Sequence, residues 1–321
     1  TQRIGIGGTS GKSTVTGMIG WILKVTGGNP TVMNGAVMRN FASADHPFAS
    51  ALVGGRECYV SEVDESDGSI ALYQPSIAVI TNISLDHKSL AELQQLFGDF
   101  ARRAGTAIVN ADDGESAPLW AGHVTFGFAD EADVQAVDFE PLVDGSRFAL
   151  LVDGTRHAVS LRMPGRHNVA NALAAIAATR AAGVPVADAV AALADFAGLA
   201  RRYEVIGTAG GITVIDDFAH NPDKVAATLA AATALPGRTL LFFQPHGYGP
   251  LRQMGKQLAA AFAHGMRAGD KLFVCDPVYY GGTVDKSVGS KAFVFDVISG
   301  GGYAVHMSRR ESCGEALLTE A

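Results

Sequence analysis

Apolar and polar positions follow the periods of strands and of helices in turn along this chain. Short, almost wholly apolar runs at residues 3–6 and 76–83 have the composition of strands that are covered on both faces. Residues 14–25 and 90–104 instead carry apolar side chains at helical spacing. Strands that alternate with helices in this way predict an α/β fold built on a mainly parallel sheet.

The alternation is interrupted once and then resumes. Residues 123–163 have the character of antiparallel strands, and the Asp-Gly-Thr sequence at 153–155 indicates a hairpin turn. Alanine-rich helices follow, and a second series of strands and helices begins near residue 200. We therefore predict two domains, residues 1–198 and residues 199–321, each with a mainly parallel sheet.

Composition limits the kinds of partner that this protein can have. Its 321 residues are 48% hydrophobic and 18% charged, which is enough apolar material for two cores, and the net charge is -7. We expect neither nucleic acid nor membranes as partners, because there is no basic run and no apolar run that could span a bilayer. Cys58, Cys275 and Cys313 lack metal-type spacing, which favours reduced thiols in a cytoplasmic protein.

The stretch between the first strand and the first helix has the composition of a phosphate-binding loop. Its small residues allow backbone N–H groups to turn toward a polyphosphate at a helix N-terminus. Lys12 would neutralise the β and γ phosphates, and Ser13 would offer its hydroxyl to Mg²⁺. The strict P-loop pattern has a glycine where Ile6 stands, and an ordinary glycine turn is the alternative. The predicted loop residues are Gly8, Thr9, Ser10, Gly11, Lys12, Ser13 and Thr14.

Acidic residues crowd the end of another predicted strand, at residues 57–60. The four carboxylates are Glu62, Asp64, Glu65 and Asp67. Carboxylates this close repel one another unless a cation compensates, so Mg²⁺ is one explanation and a solvated turn is the other. His87 follows the strand at 76–83, where a histidine can ligate a metal or orient a phosphate.

Motifs spread over nearly the whole chain resemble those of the Mur ligase family. The acidic motif and the Gln-Pro-His motif are most similar to those of two groups in this family. One group adds L-alanine to UDP-N-acetylmuramate, and the other is the related murein peptide ligases. In chain order the motifs are Gly8-Thr9-Ser10-Gly11-Lys12-Ser13-Thr14, Glu62-Val63-Asp64-Glu65-Ser66-Asp67, Thr81-Asn82-Ile83 with Asp86-His87, His167-Asn168 with Asn171-Ala172, Arg201-Arg202-Tyr203-Glu204, Asp216-Asp217-Phe218-Ala219-His220-Asn221-Pro222, and Gln244-Pro245-His246.

The resemblance implies an ADP-forming amide ligase of peptidoglycan synthesis or recycling. In such enzymes ATP phosphorylates a carboxylate, and an amino group then attacks the acyl phosphate. It also implies that residues 1–198 are a central P-loop-type ATPase domain and that residues 199–321 are a Rossmann-like domain. The family's amino-terminal nucleotide-sugar domain and its extreme carboxyl terminus are expected to be missing from this sequence.

The family's roles can be carried over residue by residue, with ATP and Mg²⁺ as cofactors. A muramyl-type carboxylate and an amino acid or peptide would be the small-molecule substrates. The implied roles are phosphate binding for Lys12, Mg²⁺ ligation for Ser13 and Glu62, a second Mg²⁺ for His87, adenine recognition for Asn171, a γ-phosphate contact from the second domain for Arg202, ribose binding for Asp217, and proximity to the incoming amino group for His220, His246 and Tyr248.

The sequence also departs from the family pattern. Gly247-Tyr248-Gly249-Pro250 follows Gln-Pro-His, where the alanine-adding branch usually has an arginine, and this weakens the case for L-alanine. No secure equivalent of the carbamylated lysine of some relatives is found. The alternatives are a family member acting on another acid, as folylpolyglutamate and cyanophycin synthetases do, or a non-catalytic nucleotide-binding homologue. A P-loop kinase is disfavoured by the second domain.

Overall fold

The protein forms two compact units, residues 1–205 and residues 206–321. The computed structural model describes residues 1–84, 88–279, 281 and 283–321. Residues 199–205, which the sequence assigns to the second domain, lie in the first unit. The predicted fold class, a large and mostly parallel sheet followed by a second sheet domain, is confirmed.

One sheet of ten strands organises the described part of the first unit. Its central strands are parallel, and antiparallel pairs occur only toward its two edges. The spatial order is β10-β9-β8-β7-β6-β5-β1-β4-β2-β3. The strands are β1 (Gln2–Gly7), β2 (Thr31–Met33), β3 (Ala51–Leu52), β4 (Cys58–Glu62), β5 (Ile77–Ile80), β6 (Thr106–Asn110), β7 (Val124–Gly127), β8 (Val134–Leu142), β9 (Gly145–Val152) and β10 (Thr155–Leu161).

Helices cover both faces of this sheet, as the apolar strands require. Ile77 and Val79 of β5 pack into one core with α1, α3 and α4, namely Lys12–Val25, Arg166–Ala181 and Val186–Leu193. Ala78 and Ile80 of the same strand pack into a second core with α2, Leu90–Arg102. Successive side chains of a strand point to opposite faces, so a continuous apolar run is what a strand between two helical layers needs.

The direction of β7 differs from the sequence prediction. Residues 123–163 were expected to be antiparallel throughout, but β7 pairs in parallel with both β6 and β8. The chain passes from β6 to β7 through a crossover that contains a 3₁₀ helix, Gly114–Leu119. Because a crossover brings the chain back to the same end of the sheet, the two strands run parallel. The predicted hairpin at residues 153–155 is confirmed, with β9 and β10 antiparallel on either side of it.

The second unit contains a three-stranded parallel sheet with its own apolar core. The strands predicted beyond residue 200 do not all join this sheet, because the first two form a separate two-stranded sheet. The strands of the pair are β11 (Glu204–Ala209) and β12 (Ile212–Asp216), and those of the parallel sheet are β13 (Leu240–Phe243), β14 (Lys271–Cys275) and β15 (Ala304–Met307). The helices are α5 (Pro222–Thr233), α6 (Tyr248–Gly265), α7 (Ser290–Ser299) and α8 (Arg310–Glu320). No helix among the described residues has the length and apolar character needed to cross a membrane.

A buried carboxylate fixes the approach to β14. Asp270 is 2% exposed and accepts hydrogen bonds from Thr239 N at 2.6 Å and Arg267 N at 2.7 Å. The Arg267 guanidinium in turn donates to the carbonyls of Thr233, Leu235 and Gly237. One acid-base pair therefore satisfies the backbone groups of two connecting loops.

We predict that Asp270→Ala lowers the free energy of unfolding of the second unit by about 3 kcal/mol, because two backbone N–H groups lose their acceptor at a buried site. Asp285→Ala is the matched control, since Asp285 forms an ion pair with Arg252 at 3.0 Å on the surface. The control should unfold at the wild-type denaturant concentration. Equal midpoints for all three proteins in urea titrations followed by circular dichroism would contradict the role of Asp270.

Candidate functional site

The loop between β1 and α1 lies so close to its neighbours that glycine is required at two positions. Gly8 has φ 125°, and a Cβ there would lie 2.1 Å from Thr81 Oγ1. Gly11 has φ 88°, and a Cβ there would lie 2.5 Å from Asn171 Oδ1. Side chains rarely adopt such φ values, and those distances leave no room for one. The loop is therefore wedged between the end of β5 and helix α3.

Polar groups that follow β5 hold the loop in this place. Thr9 N donates to Asn82 O at 3.1 Å, and Ser10 N donates to Asn82 Oδ1 at 2.8 Å. Thr81 Oγ1 donates to Ser10 O at 2.6 Å. The Ser10 hydroxyl is itself buried and has no hydrogen-bond partner among the described residues. A buried polar atom of this kind fits a loop that receives a polar ligand.

Helix α1 begins at Lys12, directly after the loop, and its positive end faces the same region. Its first hydrogen bond of α-helical type runs from Val15 N to Gly11 O at 3.0 Å. The N–H groups before that point in a helix have no acceptor within the helix. Together with the helix dipole, they form an anion-binding arrangement of the kind used for phosphates.

Lys12 is held over the loop by two oxygen atoms. Its Nζ donates to Gly8 O at 2.6 Å and to Glu65 Oε2 at 2.8 Å. The Glu65 side chain is 5% exposed and that of Lys12 is 19% exposed, so the pair is largely removed from water. Lys12 is therefore not a freely solvated side chain. Sequence analysis placed Glu65 in the acidic run but did not identify it as the partner of Lys12.

Ser13 and Glu62 form the second half of the site. Ser13 Oγ donates to Glu62 Oε2 at 2.8 Å, and Gly35 N donates to Glu62 Oε1. Asn34 Nδ2 donates to Ser13 O at 2.9 Å. Asn34 and Gly35 begin the polar loop that follows β2. Its first residues contact the candidate metal ligands.

The acidic run divides into two pairs with different surroundings. Glu62 and Glu65 contact Ser13 and Lys12, as described. Asp64 and Asp67 are exposed, and each accepts a hydrogen bond at 2.8 Å from an amide two residues further along the chain. These two carboxylates form local turns. The solvated-turn explanation therefore fits the second pair, whereas the first pair contacts side chains of the loop and of α1.

The oxygen atoms of Ser13 and Glu62 suit a magnesium ion. Mg²⁺ is usually held by one or two carboxylates together with water and substrate phosphates. Among the described residues no group of three or more His, Cys, Asp or Glu side chains could hold a metal ion by itself. A hydroxyl and one carboxylate beside a phosphate loop are consistent with an ion that shares its ligands with a nucleotide. His87, the predicted ligand of a second ion, lies outside the described residues.

Arg202 and Asn171 both reach this loop within the first unit. Arg202 Nη2 donates to Ser13 Oγ at 3.3 Å. Asn171 is 9% exposed and lies against Gly11, and its Nδ2 donates to Asn168 Oδ1 at 3.4 Å. The compact unit that contains Ser13 extends to residue 205 and so includes Arg202, which the sequence analysis assigns to the start of the second domain. The phosphate and adenine roles of these two residues stay predictions.

The remaining predicted residues lie in the second unit. Asp217 Oδ2 accepts from Thr228 Oγ1 at 2.9 Å. The rings of His220 and His246 are 6.0 Å apart, and His220 Nε2 lies 3.5 Å from Lys224 Nζ. The structure thus brings the two histidines together. Tyr248 packs against the ring of Tyr279, with 6.5 Å between centroids.

His167 begins the segment of α3 that leads to Asn171. Burial lowers its pKa from 6.5 to about 4. Its ring packs edge to face with that of Tyr203, with 6.4 Å between centroids. The imidazole is therefore neutral in the folded protein throughout the physiological range. A neutral ring at this position can accept as well as donate a hydrogen bond.

Family models match both parts of the chain. The model described as Mur ligase middle domain matches residues 6–179, and the one described as Mur ligase, glutamate ligase domain matches residues 201–319. These matches bear out the resemblance noted from the sequence.

Curated relatives carry the name UDP-N-acetylmuramate--L-alanine ligase. One from Acidithiobacillus ferrooxidans is 39% identical over 86% of this chain and 61% of its own length. One from Streptomyces coelicolor is 35% identical over 82% of this chain and 59% of its own length. The chain therefore spans about three fifths of the curated relatives that it matches.

Solved structures give the same picture. The UDP-N-acetylmuramate-alanine ligase of Thermotoga maritima aligns with a TM-score of 0.76 and 27% identity, covering 96% of this chain and 67% of that one. A murein peptide ligase from Psychrobacter arcticus aligns with a TM-score of 0.68 and 26% identity, covering 100% of this chain and 72% of that one.

We predict that His167 makes stability depend on pH. Above pH 6.5 the imidazole is neutral in both the folded and the unfolded protein, so it does not lower the free energy of unfolding. As the pH falls from 6.5 to about 4, His167 binds a proton in the unfolded chain but stays neutral in the folded protein, so the free energy of unfolding declines. Because part of the residue stays accessible to water, the loss is at most about 3 kcal/mol.

Urea unfolding at a series of pH values measures this effect. His167→Gln should flatten the decline between pH 6.5 and 4, whatever its effect on stability at pH 8. The exposed His264→Gln variant should keep the wild-type profile, because that ring meets water in both the folded and the unfolded chain. Parallel profiles for wild type and His167→Gln would show that another group causes the decline.

Proposed function

We propose that this chain, which belongs to the Mur ligase family, supplies the nucleotide-binding and amide-forming part of an ATP-dependent ligase of peptidoglycan synthesis or recycling. The observation that carries the proposal is the arrangement of Lys12, Ser13 and Glu62 around a loop that has room only for glycine at positions 8 and 11. The curated relatives bear the name of an amide ligase acting on UDP-N-acetylmuramate. A muramyl-type carboxylate and an amino acid or peptide are the proposed substrates.

The first step of the reaction joins two negatively charged groups, a carboxylate and the γ phosphate of ATP. A carboxylate oxygen of one substrate attacks the γ phosphate of ATP, which gives an acyl phosphate and ADP. The amine of the second substrate then attacks the acyl carbon, and inorganic phosphate leaves as the amide forms. Negative charge accumulates during the first step, so cationic groups must stand ready beside the phosphates.

Lys12 is the group best placed to offset this charge. Its ammonium is already oriented by Gly8 O and Glu65, so little side-chain entropy is lost when a phosphate binds. The guanidinium of Arg202, 3.3 Å from Ser13 Oγ, is the second cation. We assign to it the γ-phosphate contact from within the first unit.

Ser13 and Glu62 are the proposed magnesium ligands. A bound Mg²⁺ would supply charge neutralisation on the phosphate oxygens. Within the chain itself, Gly35 N orients the Glu62 carboxylate, and Asn34 fixes the first turn of α1 through Ser13 O. These contacts hold the two ligand oxygens together before the nucleotide arrives.

Residues of the second unit are assigned to the rest of the substrates. Asp217 is proposed for the ribose, and His220, His246 and Tyr248 are proposed for the incoming amine. Asn171 is proposed for the adenine, and His87 for a second Mg²⁺. The whole enzyme is proposed to work in the cytoplasm on small molecules, with neither nucleic acid nor a membrane as partner.

The full-length protein tests this proposal directly. UDP-N-acetylmuramate labelled with ¹⁸O in its carboxylate is incubated with ATP, Mg²⁺ and single amino acids, beginning with L-alanine. An acyl phosphate intermediate transfers one labelled oxygen to inorganic phosphate for each amide formed. Amide formation with unlabelled phosphate, or with AMP as product, would overturn the proposed mechanism.

We predict that Lys12→Ala lowers the rate of ADP formation by about a hundredfold or more, because the transferring phosphate loses its nearest cation. Lys24→Ala removes the same charge from an exposed position of the same helix and serves as the control. The unfolding midpoints of both variants should be measured alongside turnover. A folded Lys12→Ala enzyme with wild-type turnover would refute the phosphate role of Lys12.

We predict that Glu62→Gln increases the Mg²⁺ concentration needed for half-maximal activity by about tenfold or more, because an amide is a weaker ligand than a carboxylate. The control is Asp67→Asn, an exposed position in the same acidic run. It should leave the Mg²⁺ dependence unchanged. The assignment fails if the two variants have the same Mg²⁺ titration curve as the wild type.

A further inference from the structure

Two buried thiols in the second unit take no part in the proposed function. Cys275 is the last residue of β14 and Cys313 lies within α8, and they are 2% and 1% exposed. Their Sγ atoms are 3.0 Å apart although the residues are 38 positions apart in the chain. This separation is shorter than the van der Waals contact of two sulfur atoms, and both cysteines are free thiols. Sequence spacing gave no sign of this pair.

The surroundings of the pair disfavour a metal. The side chains packed around it are apolar, with Asp276 and Arg310 as the nearby charges, and none of the described residues adds a third His, Cys, Asp or Glu to form a metal-binding group. Structural zinc sites use four ligands, commonly with at least two thiolates. Two sulfur atoms in an apolar cluster lack the remaining donors. Because metal binding is disfavoured, the reaction that this geometry favours is oxidation of the two thiols to a disulfide.

We propose that Cys275 and Cys313 are a thiol pair that forms a reversible disulfide and fastens α8 to β14. A disulfide has an S–S length of about 2.05 Å, so the sulfur atoms need to approach by only about 1 Å. Cys275 lies at the end of a strand and Cys313 in the first half of a helix.

A low-molecular-weight disulfide is the oxidant class that the reaction requires. The thiolate of one cysteine attacks a sulfur of the reagent and releases one reagent thiolate, which leaves a mixed disulfide on the protein. The second cysteine thiolate then attacks the protein sulfur and releases the other reagent thiolate. The two protein thiols are oxidised, their protons go to solvent and then to the two reagent thiolates, and the reagent is reduced to two thiols.

The fold determines when this exchange can occur. Burial, followed by the neighbouring Cys313, raises the pKa of Cys275 to about 12, so the docked Cys275 thiol is protonated and reacts slowly. Helix α8 is attached through the small cluster around Phe273 and through the ion pair of Lys271 with Glu320 at 2.6 Å. Local opening of a helix that is attached by so small an apolar cluster costs less than unfolding of the whole unit. The bond therefore forms slowly, during openings of α8, and under sustained oxidation.

Peptide mapping of the folded full-length protein tests the inference. The protein is equilibrated in glutathione buffers from fully reduced to fully oxidised, alkylated and digested with trypsin without reduction. Cys275 lies in peptide 272–286, Cys313 in the peptide that begins at residue 311, and Cys58 in peptide 57–88. We expect the first two peptides to become cross-linked and Cys58 to stay outside the link.

Stability provides the second measurement. Oxidation should raise the unfolding temperature of the second unit by several degrees, on the order of 10 °C, because the cross-link restricts the unfolded chain. The increase should persist in Cys58→Ser and disappear in Cys313→Ser and Cys313→Ala. Fully alkylated Cys275 and Cys313 in the oxidised buffer, a link that appears only after urea is added, or an unfolding temperature unaffected by the link would each overturn the proposal.

Discussion

The close approach of the loop at residues 8–11 to the end of β5 and to α3 is the constraint on which the candidate site depends. A side chain at Gly8 or Gly11 would collide with Thr81 or Asn171. The contact fixes the loop backbone and the start of α1 together. Because β5 lies beside β1 in the sheet, the fold itself brings these groups to one edge. Anion-binding amides, Lys12 and Ser13 take their positions from this contact.

The ion pair between Lys12 and Glu65 explains how the site is prepared before a ligand arrives. Removing two charges from water is costly, so a largely buried pair of this kind is weak evidence for a stabilising role. It keeps the Lys12 ammonium over the loop and prevents it from extending into solvent. A polyphosphate bound as proposed would meet a cation that is already oriented, beside the hydrogen-bonded pair of Ser13 and Glu62. The pair is therefore better understood as preorganisation for binding.

Sequence patterns predicted the elements and part of the site because those features are local. Apolar runs predicted the strands of the first unit, and parallel strands bring their carboxyl ends to one edge, where the phosphate-binding loop and the acidic run were expected. The direction of β7, the pairing of β12 and the position of Arg202 depend on contacts between distant segments. The same is true of Glu65, whose partner among several possible cations is selected by the fold. Cys275 and Cys313 lie far apart in the sequence, and only the packing of α8 against β14 brings their sulfur atoms together.

A crystal structure of the protein with Mg²⁺ and a non-hydrolysable ATP analogue tests the central claim most directly. The account predicts the β and γ phosphates against the amides at the start of α1, within hydrogen-bond distance of Lys12 Nζ. It also predicts a Mg²⁺ ion bound by Ser13 Oγ and a carboxylate oxygen of Glu62. Phosphates bound elsewhere, with Lys12 still contacting only Gly8 O and Glu65, would contradict it.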